Sequence, residues 1–326
     1  MVESCGKISS GEAAMQIVFM GTPEFAIPTL EHLILSEHQV VAVYTQPDRV
    51  AGRGRALTFS PNKGVALEHG LTVVQPTALR RVEEVERLIG FHPDLIVVAA
   101  FGQILPPQVL AIPPHGCINV HPSLLPRHRG PSPVAAAILA GDEFTGVTIM
   151  LMDSGVDTGP ILAQTQVVIS PEDTTGSLTS RLAQVGARLL GETLPRWLGG
   201  DTLPQAQDDG KASYSKPIAK GEGEIAWPLP ATEIWRRVRA FQPWPVCYTW
   251  WGGKLLKIKE AEPLAWKGAM EPGRVIALPG ATAVGVQTGE GVLGLLRLQL
   301  EGKREMAAAE FLRGQRGFIR ALLPLR

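Results

Sequence analysis

Residues Gln16–Phe25 read QIVFMGTPEF, and this stretch decides the fold. Its first half is a continuous apolar run, the pattern of a strand covered on both faces. Gly-Thr-Pro then breaks the run. Thr22 is suited to cap a helix with Pro23 at the first helical position, and that helix is predicted from Glu24 to about Leu35. The same alternation recurs downstream. Strands are predicted at Val40–Tyr44, Leu71–Val74 and Asp94–Phe101, separated by helical segments near Pro61–His69 and Leu79–Ile89. Strands alternating with helices mean βαβ units and a parallel sheet, hence an α/β fold whose ligands bind beyond the carboxyl ends of the strands. A helix follows at Ser132–Leu139, then strands at Thr145–Met152 and Gln164–Ile169. A long helix at Thr174–Leu198 should bury Leu178, Leu182, Val185, Leu189 and Leu190. The turn after the first strand lacks the G-x-G-x-x-G pattern, which argues against a dinucleotide site.

The chemistry concentrates further on, where Cys117–Gly130 reads CINVHPSLLPRHRG. Cys117–Val120 is a short apolar strand, and residues two apart on a strand share a face. Asn119 and His121 therefore project together into a loop stiffened by Pro122 and Pro126. An amide and an imidazole on one face can hold a carbonyl oxygen and move a proton beside it. An isolated N-x-H is more often a core histidine beside a turn. Here Asp157, in the Gly-flanked loop DSGVDTGPI, offers a carboxylate to orient the imidazole or relay a proton.

The chain has 326 residues, enough for two domains at roughly 100–200 residues each. No apolar run approaches the ~20 residues that span a bilayer, and no secretory signal is visible. Cys5, Cys117 and Cys247 are too scattered for a disulfide framework or a metal cluster, consistent with a reducing cytoplasm. The net charge of zero hides an asymmetry. Residues 1–219 carry 15 basic and 21 acidic side chains, and residues 220–326 carry 16 and 10. A basic last third behind an acidic part points to a polyanionic partner. That third reads as a helix at Ala231–Phe241 and then short runs punctuated by glycine. The runs are Val246–Trp250, Lys254–Glu260, Gly273–Leu278, Ala283–Gln287 and Gly291–Gln299, the signature of a small barrel or sandwich.

The combination of N-V-H, SLLP and a later D-T-G resembles the formyltransferases that use 10-formyltetrahydrofolate. GTPEF (Gly21–Phe25), TQPDR (Thr45–Arg49), AGRGR (Ala51–Arg55) and RAFQPWP (Arg239–Pro245) narrow the match to members acting on a charged initiator tRNA. The resemblance spans residue 15 to about residue 320. It implies a Rossmann-like, mostly parallel catalytic domain at 15–200 and a linker at 201–219. An OB-like tRNA-binding barrel would follow at 220–326, and residues 1–14, polar, small and without a period, read separately as a disordered extension. It also implies a folate pocket walled by Phe101, Gly102, Ile104 and Leu105 and shaped by Ser123, Leu124, Leu125 and Pro126. Arg49, Arg53 and Arg55 would belong to a loop that contacts the acceptor end of the tRNA. In the barrel, strand alternation puts Lys257 and Lys259 on one face, where both could meet phosphates.

The expected reaction is formyl transfer from 10-formyltetrahydrofolate to the methionine amino group on initiator tRNA. Asn119, His121 and Asp157 are its catalytic residues, and the enzyme is expected to be cytoplasmic and monomeric. The chemistry asks for no metal ion, and no Cys/His cluster offers one. A second reading keeps the folate but takes a small amine, a purine precursor or an amino sugar, as acceptor. A third is a silent RNA-binding protein on an enzyme fold, which the three intact polar residues argue against.

Overall fold

The computed structural model describes residues 14–51, 56–266, 268, 270–280 and 282–325. It opens with β1 (Gln16–Gly21), whose Ile17, Val18, Phe19 and Met20 are all fully buried. A 3-10 turn at Glu24–Ala26 leads into α1 (Ile27–Ile34) and β2 (Gln39–Tyr44). The loop expected between Thr45 and Lys63 contains a short hairpin, β3 (Arg49–Ala51) with β4 (Ala56–Thr58). Arg53 and Arg55 lie outside the described residues, as do residues 1–13 of the expected extension. The chain continues through α2 (Pro61–Glu68), β5 (Val73–Val74), α3 (Val82–Ile89), β6 (Leu95–Ala99), α4 (Pro107–Leu110) and β7 (Cys117–His121). Next come α5 (Pro133–Ala140), β8 (Phe144–Leu151), β9 (Ile161–Val168) and α6 (Thr175–Leu198).

These strands form one sheet in the order β5-β2-β1-β6-β7-β8-β9. Strands β5, β2, β1, β6 and β7 pair in parallel, and β8 lies antiparallel to β7. The sheet is thus mostly parallel, as expected from the alternation. Thr22 does not cap the first helix. The cap position falls on Pro23, and the Thr22 hydroxyl instead donates to the Phe101 carbonyl at 2.9 Å. Along α6 the buried stripe runs through Leu178, Leu182, Ala183, Ala187, Leu190 and Leu194. Val185 and Leu189, predicted in that stripe, fall on its flank and stay partly exposed.

The last part of the chain holds α7 (Ala231–Ala240), β10 (Cys247–Trp251), β11 (Lys254–Leu264), β12 (Val275–Ala277), β13 (Val284–Gln287), β14 (Val292–Leu300), β15 (Met306–Ala307) and α8 (Ala308–Gly314). The strands make a curled antiparallel sheet in the order β10-β11-β14-β13-β12, with β15 added on β14. The β11–β14 ladder shifts register on either side of Glu260, and such bulges bend and twist a sheet. Leu256, Ile258, Val284, Val286 and Leu298 fill its inner face at full burial. Ile234 and Val238 on α7 are buried at 1% exposure. Edge-on contacts among Trp251, Phe311 and Phe318, with ring centroids 5.2–5.8 Å apart, tie α8 and the following turn to β10.

Two compact units divide these residues. One comprises Met1–His121, Thr148–Ala163 and Ala183–Gln207, and the other Pro122–Val147, Gln164–Leu182 and Asp208–Arg326. Among the described residues no helix is long and apolar enough to cross a membrane.

Candidate active site

Strand β7 sets the site. Its apolar residues Ile118 and Val120 are buried at 0% and 1% exposure and anchor the strand between β6 and β8. Asn119 and His121 alternate with them. Both reach the same partner: Asn119 Nδ2 donates to Asp157 Oδ1 at 3.4 Å, and His121 Nδ1 lies 3.6 Å from that oxygen. The structure thus brings Asp157 to Asn119 and His121, the pair that the sequence places 38 and 36 positions before it. Contacts of this length are loose, and catalytic hydrogen bonds commonly tighten only around a substrate.

The loop carrying Asp157 is built to hold one carboxylate. Asp157 adopts a left-handed backbone with φ 53°, a conformation that Asp tolerates better than most residues. Asp153 Oδ1 accepts from the Gly155 amide at 3.0 Å and from the Thr158 hydroxyl at 2.7 Å. At Gly159 any Cβ would sit 1.9 Å from the Leu151 carbonyl oxygen, so only glycine lets the loop pass so close to β8. From the other side, Gln207 Nε2 donates to the carbonyls of Asp157 at 2.8 Å and Gly159 at 2.7 Å. Sequence reading placed Gln207 in a linker, and nothing in its local pattern marks it. Gln207→Ala should remove both bonds, destabilise the fold by about 1–3 kcal/mol and cut turnover roughly tenfold by loosening Asp157. Denaturant titration and steady-state rates check this, and unchanged turnover would mean the loop holds itself.

Cys117 begins the same strand, and burial pushes its thiol up to about 12. It is therefore protonated at neutral pH and offers no thiolate nucleophile. The site's reactive groups are the amide, the imidazole and the carboxylate.

The loop after β6 was expected to wall a folate pocket, and its residues divide. Phe101 and Leu105 are buried at 1% and 3% exposure and belong to the apolar core. Ile104 is 82% exposed, and Gly102 is exposed beside it. Only these two face solvent. In the second unit, Ser123 is fully buried, and its hydroxyl donates to the Arg127 carbonyl at 2.7 Å. Gln164 Nε2 donates to the Leu125 carbonyl at 2.8 Å, which fixes the Ser123–Pro126 turn against β9. Asp142 pairs with Arg127 at 2.6 Å and with His128 at 2.7 Å, bracing the end of that turn. Sequence reading gave His128 no role.

Among the residues expected to touch RNA, Arg49 is exposed at the start of β3. Lys257 and Lys259 are partly exposed on β11, on either side of the buried Ile258. Lys257 stands opposite Tyr248 in the ladder, whereas Lys259 sits at the bulge.

In a Rossmann-like sheet, an amide, an imidazole and a carboxylate meet at the end of β7, an arrangement suited to chemistry at a carbonyl group. The comparisons make the class specific: the chain belongs to the formyl transferase family, whose model matches residues 15–210, with its C-terminal domain model on residues 217–316. A methionyl-tRNA formyltransferase of Dehalococcoides mccartyi is 48% identical over 304 residues, covering 93% of this chain and 97% of that one. Another from Methylococcus capsulatus is 48% identical over 91% of this chain and 96% of its own. Solved structures share the fold at lower identity. The N-formyltransferase from Helicobacter canadensis, solved with folinic acid and dTDP-3-aminofucose, aligns with a TM-score of 0.63 at 18% identity. That alignment covers 86% of this chain and 98% of that one. HypX from Aquifex aeolicus in complex with tetrahydrofolic acid aligns with a TM-score of 0.60 at 19% identity. It covers 95% of this chain, which spans about half of HypX.

Proposed function

We propose that this chain transfers the formyl group of 10-formyltetrahydrofolate to the amino group of methionine carried on initiator tRNA. The observation that carries this reading is 48% identity over 93% of the chain to a methionyl-tRNA formyltransferase. The test measures formyl transfer to charged initiator tRNA, charged elongator tRNA and an amino-sugar nucleotide side by side. Transfer to charged initiator tRNA is expected. Transfer to the sugar amine alone would install the small-acceptor reading instead. The protein is expected to act as a monomer in the cytoplasm.

The residues present suit a folate. Ile104 and Gly102 are exposed, and their neighbours Phe101 and Leu105 are buried in the apolar core. Exposed apolar and glycine positions of this kind suit a flat heteroaromatic ring. The turn Ser123–Pro126 completes the folate contacts in this reading. Bound there, 10-formyltetrahydrofolate supplies the formyl carbon.

Each catalytic residue then has a defined task. As the amine attacks, negative charge grows on the formyl oxygen, and hydrogen bonds aimed at that oxygen strengthen. Asn119 keeps one amide N–H on Asp157 and gives the other to the oxygen. His121, as imidazolium, is the second donor, and Asp157 stabilises its charge. Asp157 also takes the proton from the attacking amine and passes it towards the departing nitrogen, directly or through water.

Charge divides the labour. Residues 220–326 carry 16 basic and 10 acidic side chains, against 15 and 21 in the rest. The C-terminal domain therefore supplies most of the attraction to tRNA, with Lys257 and Lys259 on phosphates. Each neutralised phosphate adds roughly 0.7–0.9 to the log–log salt slope of affinity. Changing both lysines to alanine should flatten that slope by about 1–2 and weaken initiator and elongator tRNA alike, since phosphate contacts position without specifying. Binding titrations across a salt series check this, and an unchanged slope removes that face from the tRNA path.

A further inference from the structure

A cavity of about 410 Å³ opens in the first unit beyond the carboxyl ends of β1, β2 and β6. Thr22, Gln46, Gly102, Arg49 and Phe59 are among the residues that line it. A single exposed phenylalanine on a protein surface needs no explanation. Phe59 differs in three ways. It is 53% exposed yet lines a cavity. The Lys63 ammonium stands 4.2 Å from its ring centroid. That lysine is itself pinned, to Asp48 at 2.5 Å and to Gln75 at 2.9 Å. Gln75 reaches on to the Gln46 carbonyl at 2.9 Å and to Asp48 at 2.7 Å. The ring is thus held beside a braced cation, with Arg49 on the same cavity.

The lining is tied to the strand that pairs with β7. Thr22 and Gln46 both donate to the Phe101 carbonyl, at 2.9 and 3.3 Å. Phe101 lies three residues past Val98, the ladder partner of Asn119. The cavity and the catalytic face of β7 are thus linked through β6, whose loop lines the one and whose Val98 pairs with the other.

We propose that Phe59 is the stacking platform for the 3′-terminal base of the acceptor tRNA. This rests on the function proposed above. The end of a charged tRNA is single-stranded, and single strands are held by bases stacked on aromatic rings beside cations. With the base on Phe59 and a phosphate near Arg49, the ribose and its aminoacyl ester run down the cavity past Thr22 and Gln46. The amine then arrives at β7. Phe59 is a positioning residue, acting on the acceptor and not on the donor.

Steady-state kinetics and binding of Phe59→Ala and Phe59→Trp test this. Phe59→Ala should raise KM for charged initiator tRNA by between about five- and a hundred-fold, changing kcat far less and KM for 10-formyltetrahydrofolate not at all. Phe59→Trp should restore KM. Removing the terminal nucleotide from uncharged tRNA should weaken binding to the wild type but add nothing to the loss in Phe59→Ala. An unchanged KM for tRNA, failure of tryptophan to rescue, or equal losses on terminal trimming would overturn the assignment. A raised KM for the donor would give the cavity to folate and overturn it too. If the wild type formylates no charged tRNA, the proposed function has failed instead, and the unmutated control shows which.

Discussion

Asn119→Ala should lower turnover by about 10²–10³-fold while the protein remains folded. That is the usual loss when one preorganised donor to a developing oxyanion is removed. Stability should change little, because the core of β7 rests on Ile118 and Val120, both buried, whereas Asn119 is partly exposed. The 3.4 Å bond from Asn119 to Asp157 is long enough to contribute little in the resting protein. His121→Ala should be at least as damaging to rate, since it removes a second donor and the partner of Asp157. It should also cost more stability, because His121 is only 5% exposed and its deletion leaves a cavity. The double variant should lose less than the product of the two single losses if both serve one oxygen. Single-turnover rates on purified protein, with thermal melts beside them, give the result. Near-normal turnover in a folded Asn119→Ala protein would remove the strand face from catalysis.

Much of this site was legible in the sequence because local periodicity decides it. The apolar run Ile17–Met20 announced a strand covered on both faces, and the alternation through Asn119 and His121 put two polar groups on one face. What stayed hidden depends on contacts between distant segments. Gln207 acquires its role only when the chain folds back 50 residues to the Asp157 carbonyl. Thr22 looked like a helix cap because its neighbours are right for one, yet its hydroxyl found the Phe101 carbonyl, 79 residues away. Val185 and Leu189 are apolar but lie off the stripe that α6 buries, which composition alone does not show. In the loop after β6, four neighbouring residues split between core and solvent, with Leu105 at 3% exposure beside Ile104 at 82%. A loop has no fixed period from which such a split could be read.

Asp157→Asn carries the second large effect, a loss of about 10²–10⁴-fold in turnover, the range ascribed to a positioned acid–base group. The substitution isolates charge from shape. Asparagine matches aspartate in size and shares its tolerance of the left-handed backbone that residue 157 adopts at φ 53°. The loop should therefore keep its path, and Gln207 should still bind the backbone carbonyls of residues 157 and 159. The amide oxygen can still accept from Asn119. It cannot take a proton from the attacking amine, and it brings no negative charge to His121. Folate affinity should therefore stay near normal while the chemical step fails. Asp157→Ala adds a backbone penalty, since alanine is poorly suited to positive φ, so its stability should fall below that of Asp157→Asn while its rate is no better. Equilibrium binding of the formyl donor and single-turnover transfer, measured on both variants, separate the two roles. If Asp157→Asn lost folate binding but transferred at the normal rate once saturated, Asp157 would be a ligand contact and the proton would travel by another group.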